Sequence, residues 1–391
     1  MTDTRAYEAI SADSHVLEPP DLFTTRLPAN LRDRAPRVEA FEGGSAWIVE
    51  GFEPITLPDT AATGSAYRRR RDASGPISFD DVLPALLDPA ERLKAQVADS
   101  VDAEVLYPFA PLWDAIGELD DAALRLECAR AYNDWIAEFT SHAPDRLIGL
   151  AKIPTSSPAE ARDELLRAVK ELNLRGAILD GWPSGSTVSG NAEDDPFWQA
   201  VDETGVPVSL HYAVGAGKAS SPPPGITPGL KPPMADAALP MVAAGVLDRF
   251  PNVRLVFAHG DAGWAFHWLE FMDINYVRHR HLSEYALADA DALPSEYIRR
   301  HSWFTFHQDR SAVKNRQKLG AAHMMWASHF PLDDTDWPDD RQQASLVTDE
   351  VPAEERHGLL AGNVANLYRL PGYEAGFTDA QINGFDVLVH L

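Results

Sequence analysis

Eight short apolar runs, most of them followed by a helical pattern, are the feature that most constrains the fold of this 391-residue chain. Alternation of strands and helices predicts parallel strands joined by right-handed crossovers. Eight is the number of strands that a closed parallel barrel requires, and such a barrel can accommodate more than 250 residues in one domain. We therefore predict an α/β protein, a (β/α)8 barrel formed by residues 1–391. The eight runs are YEAISADSH, AEVLYP, RLIGLAKIP, RGAILD, VPVSLHY, VRLVFAHG, SWFTFH and HMMWASH.

Two of the connecting segments carry clear helix signals. The stretch at 120–139 has the apolar spacing of an amphipathic helix and contains Cys128, the single cysteine of the chain, which we expect to be a buried structural thiol. In the next connection, Ser157 is a predicted N-cap and Pro158 a first-turn residue, and Gly176 is expected to close the helix.

Two other segments are too long or too rich in proline and glycine for ordinary connections. Residues 16–95 follow the first strand, and we predict that they form a cap or lid inserted into the barrel. Residues 213–233 follow the fifth strand and are rich in glycine and proline, so they are expected to form a loop beside the active site.

Charge and hydropathy exclude several classes of partner. The chain has 34 Lys and Arg against 59 Asp and Glu, a formal net charge of −25, which would repel phosphate backbones and anionic membrane surfaces. It also has no 18-residue apolar run, and its first residues lack the pattern of a signal peptide. We therefore expect a cytoplasmic protein with no nucleic-acid or membrane partner.

Histidines recur at the predicted carboxyl ends of the strands, where barrel enzymes place their catalytic groups. A single histidine at such a position often has a structural role, but five of the thirteen share this edge, with acidic neighbours. Mixed imidazoles and carboxylates are ligands for a divalent transition metal such as zinc, manganese or iron. The predicted ligands are Asp13, His15, Glu18, His211, His259, His307 and His329.

Five motifs, spread in order along nearly the whole chain, resemble those of the amidohydrolase-related proteins, in the branch similar to aminocarboxymuconate-semialdehyde decarboxylase. They lie at 11–23, 207–212, 254–273, 324–338 and 362–370. The resemblance implies a distorted (β/α)8 barrel. It also implies that Asp13 and His15 form the first-strand metal pair, that His211 is the fifth-strand ligand, and that His259 binds metal or polarises substrate.

The chain departs from the family pattern at two strand ends. The aspartate that the family has after the eighth strand, which binds metal and assists proton transfer, is replaced by His329, and at the seventh strand His307 stands where glutamate is common. If His329 bound metal through one nitrogen, it could not also act simply as the base. Asp333 or Asp334 could substitute, and we take His259, His329 and Asp333 as candidate catalytic residues.

Two features are candidates for binding substrate. The run Arg68, Arg69, Arg70 and Arg71 could contact a phosphate or a carboxylate, although a solvated charge run is the alternative. Trp182 and Trp264 could wall an apolar pocket, although core packing explains either of them equally well.

Seven predicted ligands exceed the four or five that one metal needs, which favours a two-metal site. A nitrogen-rich site with open positions suits iron and oxygen activation, and a small branch of the superfamily resembles diiron monooxygenases of terpenoid thioesters. Our main hypothesis is therefore a non-haem diiron monooxygenase that hydroxylates a bulky apolar carboxylate or its coenzyme A thioester. It would need two Fe and an external electron donor, because no dinucleotide-binding fingerprint is present.

The alternative is a mononuclear zinc or manganese hydrolase, or a non-oxidative decarboxylase of a small carboxylate. A barrel that binds a ligand without catalysis is the third hypothesis. Outer helices of such barrels often form dimers, so a homodimer is consistent with the resemblance.

Overall fold

The computed structural model describes residues 6–64, 76–186, 189–211, 234–282, 287–289 and 291–386. Eleven strands are found in these ranges, and they form one eight-stranded sheet and one three-stranded sheet. The strands are β1 Ile10–His15, β2 Arg37–Phe41, β3 Gly44–Ile48, β4 Ile55–Thr56, β5 Ala103–Tyr107, β6 Leu147–Lys152, β7 Gly176–Leu179, β8 Val208–His211, β9 Leu255–Ala258, β10 Ser302–Phe306 and β11 Met324–Trp326.

The larger sheet confirms the predicted barrel, since its eight strands lie in the eight predicted runs. Each strand pairs in parallel with the next one in the order β1-β5-β6-β7-β8-β9-β10-β11. The barrel closes through backbone hydrogen bonds between β1 and the residues that follow β11. His329 N donates to Asp13 O at 2.9 Å, and His15 N donates to Phe330 O at 2.7 Å. The register of β1 shifts between Ser11 and Ser14, so the closing strand is distorted.

Helices surround the barrel in the connections between its strands. The α-helices are α1 Leu22–Arg26, α2 Thr60–Thr63, α3 Pro89–Asp99, α4 Ala110–Gly117, α5 Ala122–Ser141, α6 Pro158–Lys170, α7 Asp195–Thr204, α8 Ala235–Ala243, α9 Val246–Arg249, α10 Gly263–His279, α11 Pro294–His301, α12 Arg310–Lys314, α13 Asp340–Val347, α14 Ala353–His357, α15 Asn363–Leu367 and α16 Asp379–Ile382. A π-helical turn, Gly358–Gly362, joins α14 to α15. Within the described residues, no helix is both long and apolar enough to cross a membrane.

The two predicted helices are present, and one of them ends earlier than expected. Helix α5 covers the 120–139 stretch and buries Cys128 completely, which raises the pKa of this thiol. Helix α6 begins after Ser157, whose hydroxyl accepts from Glu160 N as an N-cap, but it ends at Lys170 instead of near Gly176. The chain turns through Asn173, which has a φ of +57°, and Gly176 already belongs to β7.

The segment between β1 and β5 contains the small antiparallel sheet β2–β3–β4 and helix α3. Trp47 of β3 is fully buried, and its ring meets that of Phe23 edge-on at 5.8 Å. In α3, the buried Arg92 donates from Nε and Nη2 to Glu104 at 2.7 and 3.0 Å, and from Nη1 to the carbonyl of His15 at 2.7 Å. Helix α3 is thereby fixed to the carboxyl end of β1. A lid function for residues 16–95 stays a prediction.

Two predicted features lie outside the described residues. They are the arginine run Arg68–Arg71 and the whole predicted loop after the fifth barrel strand, residues 213–233.

Candidate metal centre

The carboxyl ends of the barrel strands bring one carboxylate and four imidazoles together. Asp13 is fully buried at the centre of the group. His15 follows it on the same face of β1, because alternate residues of a strand point the same way. The distances from the Asp13 oxygens are 3.1 Å to His15 Nε2, 3.5 Å to His259 Nδ1, 3.7 Å to His211 Nε2 and 4.0 Å to His329 Nε2.

Two of these histidines have a backbone conformation that non-glycine residues rarely adopt. His259, immediately after β9, has a φ of +63°. His329, shortly after the end of β11, has a φ of +58°. Hydrogen bonds hold both backbones in place: His259 N donates to Thr305 Oγ1 at 3.0 Å, and His329 N donates to Asp13 O. Strain that the surrounding structure maintains is typical of functional sites, where it fixes the direction of a side chain.

The hydrogen-bonding pattern of His15 and Asp13 fits a cation between them. His15 Nδ1 lies 3.0 Å from the carbonyl of Pro108, and since a carbonyl only accepts, Nδ1 carries a proton. In the neutral ring, Nε2 then presents a lone pair to Asp13. Among the described residues, neither Asp13 oxygen has an aligned hydrogen-bond partner, nor does Nε2 of His15 or of His211. Buried lone pairs that face one another at 3.1 Å repel each other unless a cation lies between them.

The pKa shifts of Asp13 and His211 agree with this arrangement. Burial would raise the pKa of Asp13, but the attraction of His15 and of the other imidazoles holds it well below its usual range. Burial lowers the pKa of His211 well below its usual value, which keeps this ring neutral. For His259, burial lowers the pKa, but the attraction of Asp13 outweighs it and raises the pKa. An ionised carboxylate with a neutral imidazole beside it is a suitable ligand set for a divalent metal.

His329 also has a carboxylate partner outside this cluster. Its Nδ1 lies 2.6 Å from Asp334 Oδ2, and its ring centre is 4.2 Å from that of His259. Partial burial would raise the pKa of Asp334, but the attraction of His329 holds it below its usual range. Asp333, the carboxylate that we selected from the sequence, is exposed, and its catalytic role stays a prediction.

The other two predicted ligands lie apart from the group around Asp13. His307 faces Asp336 and Asp340, with its Nε2 at 3.4 and 3.6 Å from their carboxylate oxygens. Glu18 is buried and accepts a 2.7 Å hydrogen bond from Trp113 Nε1, and its burial raises its pKa to about 7. The structure therefore brings five of the seven predicted ligands together, and the role of each in metal binding stays a prediction.

A pocket beside the cluster contains residues that the sequence analysis missed. It is lined by His15, Tyr107, Pro108, Ala110, Trp113, Lys152, Ile178, Asp180 and His211. Lys152 is 2% exposed, is paired with Asp180, and lies 4.9 Å from the centre of the Trp113 ring. Lys152 and Asp180 lie at the ends of the third and fourth predicted strands. This is the same kind of position from which the histidines were predicted.

The two tryptophans proposed to bind substrate lie in other surroundings. Trp182 is 3% exposed and belongs to the main hydrophobic core. Trp264 donates from Nε1 to the carbonyl of Asp261 at 2.9 Å and packs against Trp268. The pocket beside the metal cluster is instead walled by Trp113.

A parallel eight-stranded barrel with a buried carboxylate–imidazole cluster at the carboxyl ends of its strands is the architecture of the barrel enzymes. The family model described as amidohydrolase matches residues 60–370, and the chain belongs to this family. This confirms the family resemblance found in the sequence motifs.

Two proteins to which the chain is similar in sequence are decarboxylases. The chain is 29% identical over 318 residues to gamma-resorcylate decarboxylase of Rhodococcus jostii (strain RHA1), covering 75% of this chain and 91% of the relative. It is 31% identical over 186 residues to 2-amino-3-carboxymuconate-6-semialdehyde decarboxylase of Dictyostelium discoideum, covering 46% and 49%.

One solved structure of similar fold is dihydroxybenzoic acid decarboxylase from Polaromonas sp. JS666, with bound manganese and the inhibitor 2-nitroresorcinol. Its TM-score is 0.60 at 18% identity, and the match covers 95% of this chain and all of that chain. The two sequence relatives favour the decarboxylase alternative over the diiron monooxygenase, and they give no support to iron.

Proposed function

We propose that the protein is a metal-dependent, non-oxidative decarboxylase of a small aromatic carboxylate. The observation that carries this proposal is the position of the Asp13 cluster, because two of its members, His15 and His211, also line the pocket that contains Lys152 and Trp113. A substrate in that pocket would contact metal ligands on one side and a buried cation on the other. The similarity to two decarboxylases supports decarboxylation as the reaction.

Asp13, His15 and His211 would hold the metal, with His259 as a further ligand. Manganese is the first candidate because a relative of the same fold binds it, and zinc suits the same ligands. When bound, the metal would supply a positive charge that fixes the oxygens of the substrate and withdraws electron density from it.

The pocket provides the complementary contacts for an aromatic acid. Lys152 presents a buried ammonium group, which attracts a carboxylate or phenolate oxygen. The indole of Trp113 and the ring of Tyr107 provide flat apolar surfaces for an aromatic ring. Since most of this lining is buried, a substrate in the pocket would have little contact with bulk water.

Decarboxylation also needs a proton at the ring carbon. The bond to the carboxylate breaks, carbon dioxide leaves, and the electron pair stays on the ring carbon, which takes up one proton. We assign delivery of this proton to His329, because its Nδ1 is held by Asp334 and its Nε2 points to the cluster. At 4.0 Å, its Nε2 is the farthest of the four imidazole nitrogens from the Asp13 oxygens, which favours proton transfer over metal binding.

The test is release of carbon dioxide without oxygen. The protein is loaded with Mn²⁺ and incubated anaerobically with γ-resorcylate and other aromatic carboxylates, and with the open-chain 2-amino-3-carboxymuconate 6-semialdehyde. We expect stoichiometric carbon dioxide with at least one of them and none with the D13N variant. Absence of carbon dioxide from the whole panel, with the metal bound, would contradict the proposal.

A diiron monooxygenase acting on a bulky carboxylate or its coenzyme A thioester is the second candidate. One observation favours it: His307, His329 and their carboxylate neighbours provide more ligand atoms than one metal uses. In the presence of iron and an external reductant, it would consume oxygen and give a product heavier by one oxygen atom, whereas the decarboxylase would give neither result.

A further inference from the structure

A second group of ligand atoms lies at the end of β10, separate from the Asp13 cluster. It consists of His307, Asp336 and Asp340, whose ligand atoms lie within 4.8 Å of one another. His307 is 6% exposed and Asp340 is fully buried. We propose that these three residues form a second binding site for a divalent cation such as Mn²⁺.

The geometry of the His307 ring is that of a metal ligand more than that of a hydrogen-bond donor. Its Nε2 lies 3.4 Å from Asp336 Oδ2 and 3.6 Å from Asp340 Oδ1, and within the described residues it has no aligned hydrogen-bond partner. A charged imidazole that donates to a carboxylate is expected at about 2.7–2.9 Å. Two ligands at about 2.1 Å from one metal, at angles of about 90–110°, are instead separated by roughly 3.0–3.4 Å. The observed spacing is closer to the second arrangement.

Hydrogen bonds from neighbouring residues hold the three ligands in position. Asp340 Oδ2 accepts from Thr335 Oγ1 at 2.8 Å, and its Oδ1 accepts from Asp336 N at 2.8 Å. The backbone N of Asp340 donates to Asp99 Oδ1 at 2.8 Å. Such outer contacts orient the ligands of a metal before it binds.

Two further contacts complete this support. The backbone N of His307 donates to Asp261 Oδ1 at 2.9 Å, and Gln308 Nε2 donates to Asp336 Oδ2. Each oxygen that faces His307 retains a lone pair for a cation, because a carboxylate oxygen accepts more than one bond.

The second site is adjacent to the first but shares no ligand with it. The rings of His307 and His329 are 5.3 Å apart, and His329 in turn contacts His259 of the Asp13 cluster. The inference does not depend on decarboxylation, since it concerns only which side chains bind a cation. A protonated His307 paired with both carboxylates is the alternative, and the number of bound metal ions separates the two.

The experiment is a titration of the metal-free full-length protein with Mn²⁺, with free Mn²⁺ counted by electron paramagnetic resonance. We expect two tightly bound ions per chain in the wild type and one in H307Q and in D336N. The matched control is D339N, which removes the same charge from an exposed neighbour, and it should retain two. Circular dichroism establishes whether each variant is folded. If H307Q is not folded, the comparison with the wild type is made with D336N alone.

The outcomes distinguish the two sites. One ion in the wild type and still one in H307Q overturns the second site, and so do two ions in both folded ligand variants. D13N should bind one ion, at the second site. If D13N binds as many ions as the wild type while H307Q binds one fewer, the Asp13 centre fails and the second site stands.

Discussion

Arg92 connects helix α3 to the end of β1, and its replacement by methionine tests how strongly the site depends on a buried ion pair. The side chain is fully buried and binds Glu104 through two nitrogens and the His15 carbonyl through a third. Removing one partner of a buried pair leaves the other charge uncompensated, which destabilises a protein by about 3–5 kcal/mol. For 391 residues the entropy of unfolding is about 0.8 kcal/mol/K, so the melting temperature should fall by roughly 4–6 °C.

The assay is urea unfolding together with thermal melting of R92M, with R26M as the matched control. Arg26 also binds a carboxylate through two nitrogens, at 2.8 and 2.6 Å from Glu138, but that carboxylate is 63% exposed. Screening by water limits such a pair to about 1 kcal/mol or less. The double variant R92M/E104Q should recover part of the loss. Equal destabilisation in R92M and R26M would refute the argument that burial sets the cost.

Three further predictions concern the site. D334N should lower the turnover number by about 10–100-fold at saturating Mn²⁺ with little change in melting temperature, because it removes the group that orients His329. K152M should raise the KM for an aromatic carboxylate by about 10–100-fold, the equivalent of one charged hydrogen bond, while Mn²⁺ affinity, measured in the same titration, stays unchanged. Since burial raises the pKa of Glu18 from 4.5 to about 7, its carboxyl favours the folded state below pH 4.5, and this contribution is lost as the pH rises through 7. In metal-free protein, the free energy of unfolding of the wild type relative to E18Q should therefore fall by about 3 kcal/mol between pH 4.5 and 8, and a constant difference would contradict the assignment.

Much of the fold was predictable because each barrel strand is a short apolar run with a defined end. Asp13 and His15 could be placed from strand alternation alone, and the histidines at 211, 259 and 329 followed from the shared edge of a parallel barrel. The early end of α6 could not be predicted in the same way. The left-handed turn after it is at Asn173, whereas glycine is the residue that usually marks such a turn.

The carboxylate partners of the histidines were the hardest part to predict. Asp333 and Asp334 are neighbours in a loop, and only the conformation of the chain after His329 determines which of them reaches its Nδ1. Asp336 and Asp340 approach His307 from a distant part of the sequence, and no local pattern indicates that contact. These histidine–carboxylate contacts depend on how the barrel closes. The spacing of residues in the sequence does not show how it closes.

The closure of the barrel has a consequence for the order of folding. The backbone bonds that join the first strand to the end of the last one run from His329 to Asp13 and from His15 to Phe330, and Asp13 and His15 are proposed metal ligands. Contacts across more than 300 residues have a high entropic cost and tend to form late. Metal affinity should therefore develop only as the last strand docks, so that the ion stabilises the finished barrel in preference to any partly folded form and makes its thermal stability dependent on metal concentration.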